Sequence, residues 1–312
     1  MKYSALILFS FFSYCTCVQA QHEVLLHGKS GLAIISKAGE TTWKMPFGGI
    51  HDIHVLGNGN IMVQRNMHEI VEIDRQSKKI VWSYNSRAEN GNQGKPLEVH
   101  AFQPLGNGNV MIAESGVGRI IEVNRDGKII KETKLVLDSS HPHRDTRLVR
   151  KIKNGNYLVA HEGDGKIREY DLDSGKVIWT YNVPLTQKRA GGHGPEAYGN
   201  QAFSAVRLKN GNTLIGCGNG HMVLEVTPQN QIVWKLTQKE LPGIVFAWVT
   251  TLEVLPNGNY VIGNCHAGPG QPLLVEVNPK TKDVVWTFDR YDDFGNNVSN
   301  SLLLDVAGKS NR

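Results

Sequence analysis

The stretch Ile53-His-Val-Leu-Gly-Asn-Gly-Asn-Ile-Met-Val-Gln64 places an Asn-Gly-Asn turn between two apolar runs. Asn-Gly flanked by alternating apolar residues is the strongest short signal for a β-hairpin, because such a turn needs a positive φ at both central residues. The turn recurs at intervals of 47 to 56 residues, as Asn107-Gly108-Asn109, Asn154-Gly155-Asn156, Asn210-Gly211-Asn212 and Asn257-Gly258-Asn259. A period of this length is typical of repeat folds such as solenoids and propellers.

Each hairpin is followed by two more predicted strands. In the third repeat they are Lys166–Tyr170 and Lys176–Tyr181, joined by a turn at Asp173-Ser174-Gly175. The last strand of a repeat carries a tryptophan, at Trp43, Trp82, Trp179, Trp234 and Trp286, with Lys131 at the same place in the second repeat. A large apolar ring at one repeated position is expected to pack between neighbouring repeats.

The two ends of the chain complete one further unit. Residues 22–46 supply strands but no innermost strand, and residues 300–307 supply a single strand with nothing after it. Pairing these segments closes the ring and removes open sheet edges. The sequence therefore predicts an all-β fold: a six-bladed β-propeller of four-stranded antiparallel blades, forming one domain over residues 21–312.

The first twenty residues predict a secretory signal. Met1-Lys2 gives a positive start, Ala5–Phe12 is apolar and Val18-Gln19-Ala20 is a cleavage site of small-residue type. The apolar run is too short to span a membrane. We therefore expect an exported, periplasmic or extracellular protein without a membrane span, and a monomer. The net charge of +5 is mild and no basic run occurs, which argues against a nucleic-acid partner.

Two segments resemble known propeller repeats. Asp171-Leu-Asp-Ser-Gly-Lys-Val-Ile-Trp179 resembles the tryptophan-docking repeat of PQQ-like propellers, and His51–Asn60 resembles repeats of arylsulfotransferase-type propellers. The resemblance implies a shared scaffold along the whole mature chain. Quinone-dependent enzymes of this kind have an adjacent cysteine pair, which this chain lacks. We therefore expect no PQQ cofactor.

Loop lengths predict which end of the propeller carries the site. The turns inside the hairpins are tight, so we expect no function there, whereas the connections between blades are long and irregular, as functional loops often are. Alignment of the repeats places histidines from several blades at the mouth opposite the tight turns. They are His51, His100, His143, His161, His193 and His266.

Several histidines beside arginines and carboxylates suit acid–base catalysis or metal binding. We expect a carbohydrate-active lyase that cleaves an acidic or oxidised (keto) glycoside by β-elimination. The candidate catalytic residues are His51, His100, His193, Arg147 and Tyr198. Candidate substrate-binding residues are Trp248, Arg144, Glu114, His161 and Glu162. One divalent metal ion could be held by His143 and His266, with His51 or His100 as a further ligand.

Three questions stay open from the sequence. A propeller that only binds a ligand or protein needs no catalytic group, and an arylsulfotransferase-like transferase would use a histidine nucleophile. Trp248, the one tryptophan outside the repeat, could stack on a sugar ring or anchor a loop in the disc. Cys217 and Cys265 end the second strands of neighbouring blades and could be bridged or free.

Overall fold

The computed structural model describes residues 22–185, 191–199, 201–306 and 310–312, and the predicted secretory signal lies outside these ranges. Twenty-four strands form six four-stranded antiparallel sheets, in agreement with the prediction. In five of these sheets the strands follow one another in chain order from the centre to the rim. The sixth sheet instead has the last strand of the chain at its centre, followed by the first three strands.

The blades are numbered along the chain. Blade 1 comprises β4 (Ile53–Val55), β5 (Ile61–Arg65), β6 (Glu69–Ile73) and β7 (Ile80–Asn85). Blade 2 comprises β8 (Glu98–Pro104), β9 (Val110–Ser115), β10 (Arg119–Val123) and β11 (Ile129–Lys134). Blade 3 comprises β12 (Val149–Lys151), β13 (Tyr157–His161), β14 (Lys166–Tyr170) and β15 (Val177–Asn182).

The remaining blades include both terminal segments. Blade 4 comprises β16 (Ser204–Arg207), β17 (Thr213–Gly216), β18 (Met222–Val226) and β19 (Ile232–Thr237). Blade 5 comprises β20 (Trp248–Val254), β21 (Tyr260–Cys265), β22 (Leu274–Val277) and β23 (Val284–Phe288). Blade 6 comprises β1 (Val24–Gly28), β2 (Gly31–Ile35), β3 (Thr41–Met45) and β24 (Ser301–Leu303). Pairing of β24 with β1, Leu303 opposite Val24, closes the ring.

Helical structure in the described ranges is confined to a 3₁₀ turn at Gln238–Glu240 and the one-turn helix α1 (Tyr291–Phe294). No helix in these ranges has the length and apolar character that a bilayer crossing requires.

The Asn-Gly-Asn turns differ in one respect from the prediction. Only the glycine has a positive φ, 87° at Gly59, and neither flanking asparagine does. The first asparagine instead accepts a hydrogen bond through Oδ1 from the backbone N–H of the third, 3.0 Å from Asn58 to Asn60. The side-chain amide of Asn60 then donates to Glu72 of β6 at 2.7 Å. The third position is therefore asparagine because it ties the turn to the third strand.

The repeated tryptophans join neighbouring blades, as predicted. The indole N–H of Trp43 donates to the carbonyl of Arg75 in the next blade at 2.8 Å, and Trp82 donates to Arg125 in the same way. Trp179 and Trp234 repeat the bond to the following blade. The ring thus buries apolar surface while its single donor is satisfied.

The core lies between blades. Six clusters of buried apolar side chains each combine residues of two adjacent sheets, such as Leu25 and Leu302 of blade 6 with Ile53 and Val63 of blade 1. A sheet therefore buries both faces only when both of its neighbours are present. The stable structure is therefore the complete ring and not the single blade.

Polar groups cross the central channel below the candidate site. Both carboxylate oxygens of buried Asp52 accept from Arg150 of the innermost strand of blade 3, at 2.7 and 2.9 Å. Asn300 also donates to Asp52 at 2.9 Å, and Arg312 reaches the amide oxygen of Asn300 at 2.9 Å. Arg150 and Arg312 of this network line a cavity at the turn end of the channel, and none of its four residues lines the cavity at the other end.

Candidate functional site

A cavity of about 360 Å³ opens at the end of the channel opposite the hairpin turns. Residues at the entry to the innermost strands and after the second strands form its wall, as the repeat alignment predicts. The lining residues are Gly49, Ile50, His51, Met67, His143, Arg147, His193, Phe203, Trp248, Thr250, Cys265, His266, Asn297 and Ser299. Four imidazoles and one guanidinium thus face a single space.

A β-bulge places His100 behind the wall of the cavity, beside the four histidines that line it. In β8 the pairing with β9 shifts between Val99 and Ala101, so His100 is the extra residue. Bulges of this kind redirect a side chain and are frequent near active sites. The ring of His100 lies 4.6 Å from that of His51 and 5.0 Å from that of His143, and the residue is 1% exposed.

A chain of hydrogen bonds connects the groups around His100. Arg147 lies 3.1 Å from Nδ1 of His100 through Nη1 and pairs with Glu162 through Nε. Nε2 of His100 lies 2.9 Å from Glu98, and Nδ1 of His143 lies 2.7 Å from the same carboxylate oxygen.

Arg147 determines which ring nitrogens of His100 and His143 carry a proton. A guanidinium can only donate, so Nδ1 of His100 must accept, and in the neutral ring Nε2 carries the proton that goes to Glu98. A carboxylate can only accept, so Nδ1 of His143 also carries a proton. In neutral His143 the lone pair is then on Nε2. Glu98 thus receives two N–H donors, and His143 is oriented as a proton acceptor.

Burial and charge keep this cluster in defined protonation states. Burial is the main cause that lowers the pKa of His100 to about 4, while its hydrogen bond to Glu98 acts in the opposite direction. The hydrogen bonds from His100 and His143 lower the pKa of Glu98 to about 2 against the effect of burial. At neutral pH the cluster therefore contains a neutral His100 and a charged Glu98.

His51 has an unsatisfied polar atom. Its Nδ1 is buried and has no hydrogen-bond partner among the described residues. Burial, followed by the nearby His100 and Arg147, holds the pKa of His51 well below its ordinary value. A buried polar atom without a partner costs free energy, and such atoms are often reserved for a ligand.

The imidazole rings of His193 and His266 lie beside Trp248. The ring of His193 lies 4.5 Å from the indole and 5.2 Å from the ring of His266. Trp248 is 3% exposed and packs with Leu148, Phe203 and Cys265. It therefore anchors the floor of the cavity, and His193 occupies much of the surface expected for sugar stacking.

Several predicted site residues lie elsewhere. Glu114, in β9 of blade 2, is fully buried and pairs with Arg119 of β10 at 2.6 Å. His161 is fully buried and lies 2.7 Å from the carbonyl of Asp145 and 3.0 Å from the hydroxyl of Tyr170. These partners hold both side chains inside the blades, so neither lines the cavity.

Three others flank the cavity without lining it. Arg144 and Tyr198 are exposed on the connecting loops, Tyr198 in an isolated bridge with Gly191. Glu162 is 3% exposed and forms an ion pair with Arg147. His100 likewise reaches the cavity only through its neighbours. These placements correct the expectation that all the candidates share one mouth.

The predicted metal ligands His143 and His266 are not in one group. Among the described residues, the side chains close enough to share an ion are Glu98, His100 and His143, whose candidate ligand atoms lie within 4.8 Å of one another. The proton on Nε2 of His100, enforced by Arg147, blocks that nitrogen as a ligand. One imidazole and one carboxylate remain, fewer than the three protein ligands of a typical catalytic zinc site. As arranged, the cluster fits proton transfer better than a metal ion.

Cys217 and Cys265 are free and buried. Burial raises the pKa of Cys265 to about 12, and Cys217 is packed between blades 3 and 4. Neither thiol is poised for nucleophilic chemistry, which requires the thiolate.

Glu98 is the functional candidate that the sequence analysis missed. It precedes His100 by two residues, a spacing that puts two side chains on the same face of a regular strand. The signal was present, but the bulge at His100 and the contact to His143, 45 residues away, depend on the folded ring.

Comparisons with known proteins agree with this architecture. A protein of unknown function from Bacteroides caccae has a TM-score of 0.72 at 22% identity, covering 90% of this chain and 98% of its own. A catalytically inactive virginiamycin B lyase from Staphylococcus aureus, solved with quinupristin, has a TM-score of 0.57 at 11% identity, covering 89% and 87%. The WD40 propeller domain of Doa1 has a TM-score of 0.54 at 15% identity, covering 78% and 72%.

No curated protein matches the chain. The family model PQQ_2, described as outer membrane protein assembly factor BamB, matches residues 28–289. With most of its length inside this match and six four-stranded blades in a closed ring, the chain belongs to the PQQ_2 family of β-propellers.

Proposed function

We propose that the protein is a carbon–oxygen lyase that cleaves a glycoside by β-elimination, with His143 as the base. The observation that carries the proposal is the hydrogen bond of 2.7 Å between Glu98 and Nδ1 of His143 on the wall of the cavity. A carboxylate at Nδ1 orients an imidazole and stabilises the imidazolium that forms when Nε2 takes a proton.

The charges favour a keto glycoside over an acidic one. Arg147 is already paired with Glu162, and Glu98 adds a second negative charge. A substrate carboxylate would meet no unpaired cation among the described lining residues. A neutral ketone needs stabilisation only as the enolate develops, and the Nη2 group of Arg147 has no hydrogen-bond partner in the described part of the chain, so it is available for that oxygen.

The lining also suits a saccharide. Ile50, Phe203 and Met67 offer apolar surface for the C–H face of a sugar ring. Thr250, Asn297 and Ser299 offer polar groups for hydroxyls, and the hydroxyl of Thr250 is buried without a partner among the described residues. An export signal over residues 1–20 would bring the protein to saccharides outside the cytoplasm.

The proposed step balances without a cofactor. Nε2 of His143 takes the proton on the carbon beside the ketone, and the released electron pair forms a carbon–carbon double bond. The bond from the next carbon to the glycosidic oxygen breaks, and the new imidazolium returns its proton to that oxygen. Arg147 stabilises the enolate in between. Lyases among proteins of similar fold support the reaction class, although that likeness concerns the fold alone.

The test is a spectrophotometric assay with 3-keto glucosides, whose elimination product is a conjugated enone. We expect new ultraviolet absorbance with the wild-type protein, a loss of at least about 100-fold in kcat for His143→Ala, and little change for His68→Ala, a histidine outside the cavity. Arg147→Lys, which keeps the charge opposite Glu162, should lower kcat/KM by about 10-fold or more.

Two results would contradict the proposal. Saturable binding of keto and uronic glycosides without any unsaturated product would make the protein a binding propeller. Loss of activity on dialysis against a chelator, restored by a divalent ion, would show that a metal and not the Glu98–His143 pair drives the step.

A further inference from the structure

A second, larger cavity opens at the other end of the channel, where the tight hairpin turns were expected to leave no site. Its volume is about 680 Å³. Six of its described lining residues are cationic and none is acidic, the cations being Arg150, Lys151, Lys153, Arg207, Lys209 and Arg312. The described lining therefore presents cationic side chains, and no carboxylate side chain, to this cavity.

The two outer lysines are not needed by the turns that carry them. Lys153 and Lys209 each stand immediately before an Asn-Gly-Asn turn, in blades 3 and 4. The same position holds Gly57 in blade 1, Gly106 in blade 2 and Pro256 in blade 5, with the turn formed in each case. The lysines are thus confined to two adjacent blades, on one side of the mouth.

Some of these cations have partners and some do not. Lys151 pairs with Glu122 at 2.6 Å, Arg207 with Glu169 at 2.7 Å and Arg150 with Asp52 at 2.7 Å. Lys153 and Lys209 are exposed and have no ion pair within the described ranges. The arrangement leaves at least two positive charges facing the cavity.

Two buried donors at the floor are also unsatisfied. The Nε atoms of Arg150 and Arg207 are buried and have no hydrogen-bond partner among the described residues, and Arg150 is only 5% exposed. Burial is also the main cause that lowers the pKa of Arg207 and Arg312. Desolvated guanidinium groups gain more from a bound anion than hydrated ones do.

We propose that this cavity is a binding site for a multivalent tetrahedral oxyanion, of the phosphate or sulfate class. Lys153 and Lys209 supply point charges from two neighbouring turns, and the guanidinium groups of Arg150 and Arg207 supply directed donors below them. A ligand with two such groups matches cations that are spread over two blades. The site is independent of the lyase proposal, because no described residue lines both cavities.

Pyrophosphate tests the proposal by isothermal titration calorimetry at low salt. The wild-type protein should bind one equivalent, with an affinity that falls as ionic strength rises. Lys153→Ala/Lys209→Ala should weaken binding by at least about 10-fold, and Lys153→Arg/Lys209→Arg should restore most of it. The matched control is Lys79→Ala/Lys128→Ala, which removes two exposed lysines from outer turns of blades 1 and 2.

Three outcomes would overturn the proposal. The wild-type protein could show no saturable binding of pyrophosphate. The control pair could weaken binding as much as the test pair, which would make the effect one of net charge. Finally, His143→Ala could abolish binding while the lysine pair does not, which would place the anion in the upper cavity.

Discussion

A single side chain sets the chemistry of the upper cavity. Because Arg147 cannot accept a hydrogen bond, the proton of neutral His100 is on Nε2. This N–H donates to Glu98, which also accepts from Nδ1–H of His143. The acceptor nitrogen of neutral His143 is therefore Nε2. Arg147, His100 and Glu98, which the folded ring brings together, thus determine which imidazole can act as the base. No periodicity in the sequence encodes this choice.

At this scale we predict the effect of Glu98→Gln. The amide keeps the shape of the side chain but cannot stabilise an imidazolium, so kcat on a keto glycoside should fall by about 10- to 100-fold with KM nearly unchanged. Glu89→Gln, which changes an exposed residue of the connection before β8, is the control. A variant with unchanged kcat would remove Glu98 from the mechanism.

Buried histidines also predict an acid dependence of stability. Burial lowers the pKa of His161 to about 4 from an ordinary value of 6.5. The unfolded chain therefore binds more protons between these values, and stability present above pH 6.5 is lost as the pH falls towards 4. His161→Gln removes this contribution. In urea unfolding, the variant should lose ~1–3 kcal/mol less than the wild type over this range.

Gln76→Ala, which changes an exposed residue that does not titrate, should keep the wild-type slope. Parallel curves for His161→Gln and the wild-type protein would mean that His161 is protonated in the folded state.

At the scale of the element, the hairpin turn is specified by one glycine and two asparagine side chains. Gly59 has a φ of 87° and an added Cβ would meet nothing within 4 Å, so its requirement is purely conformational. Gly57, two residues earlier, has equal space and no positive φ. Substitutions at Gly59 and Gly57 therefore separate the effect of a positive φ on stability from the effect of packing.

We therefore expect opposite effects of alanine at the two positions. Gly59→Ala should destabilise the protein by about 1 kcal/mol, whereas Gly57→Ala should be neutral or stabilise it by up to about 1 kcal/mol, because it restricts the unfolded chain. Free energies of unfolding in urea measure both. Equal losses would show that the turn is held by contacts that the asparagines do not explain.

At the scale of the whole molecule, stability depends on closure. Each apolar cluster joins two blades, and the cluster between blades 5 and 6 includes Leu303 of the lone C-terminal strand. Leu303→Ala should cost about 2–5 kcal/mol and keep a single unfolding transition, since no blade buries its faces alone. Leu185→Ala, at a position 54% exposed, should be neutral. A separate early transition in Leu303→Ala would show that blade 6 opens independently of the ring.

The sequence by itself determined the fold, because the repeat is local: the turn, the four strands and the docking tryptophan each lie within about fifty residues. It also placed four of the six predicted histidines, His51, His143, His193 and His266, at the mouth that they line, since a repeat alignment assigns every residue to a height in the ring. Only the tertiary structure decided which of them meet. The bulge at His100, the diversion of His161 and Glu114 into blades, and the basic cavity at the turn end all arise from contacts between blades, which local pattern does not record.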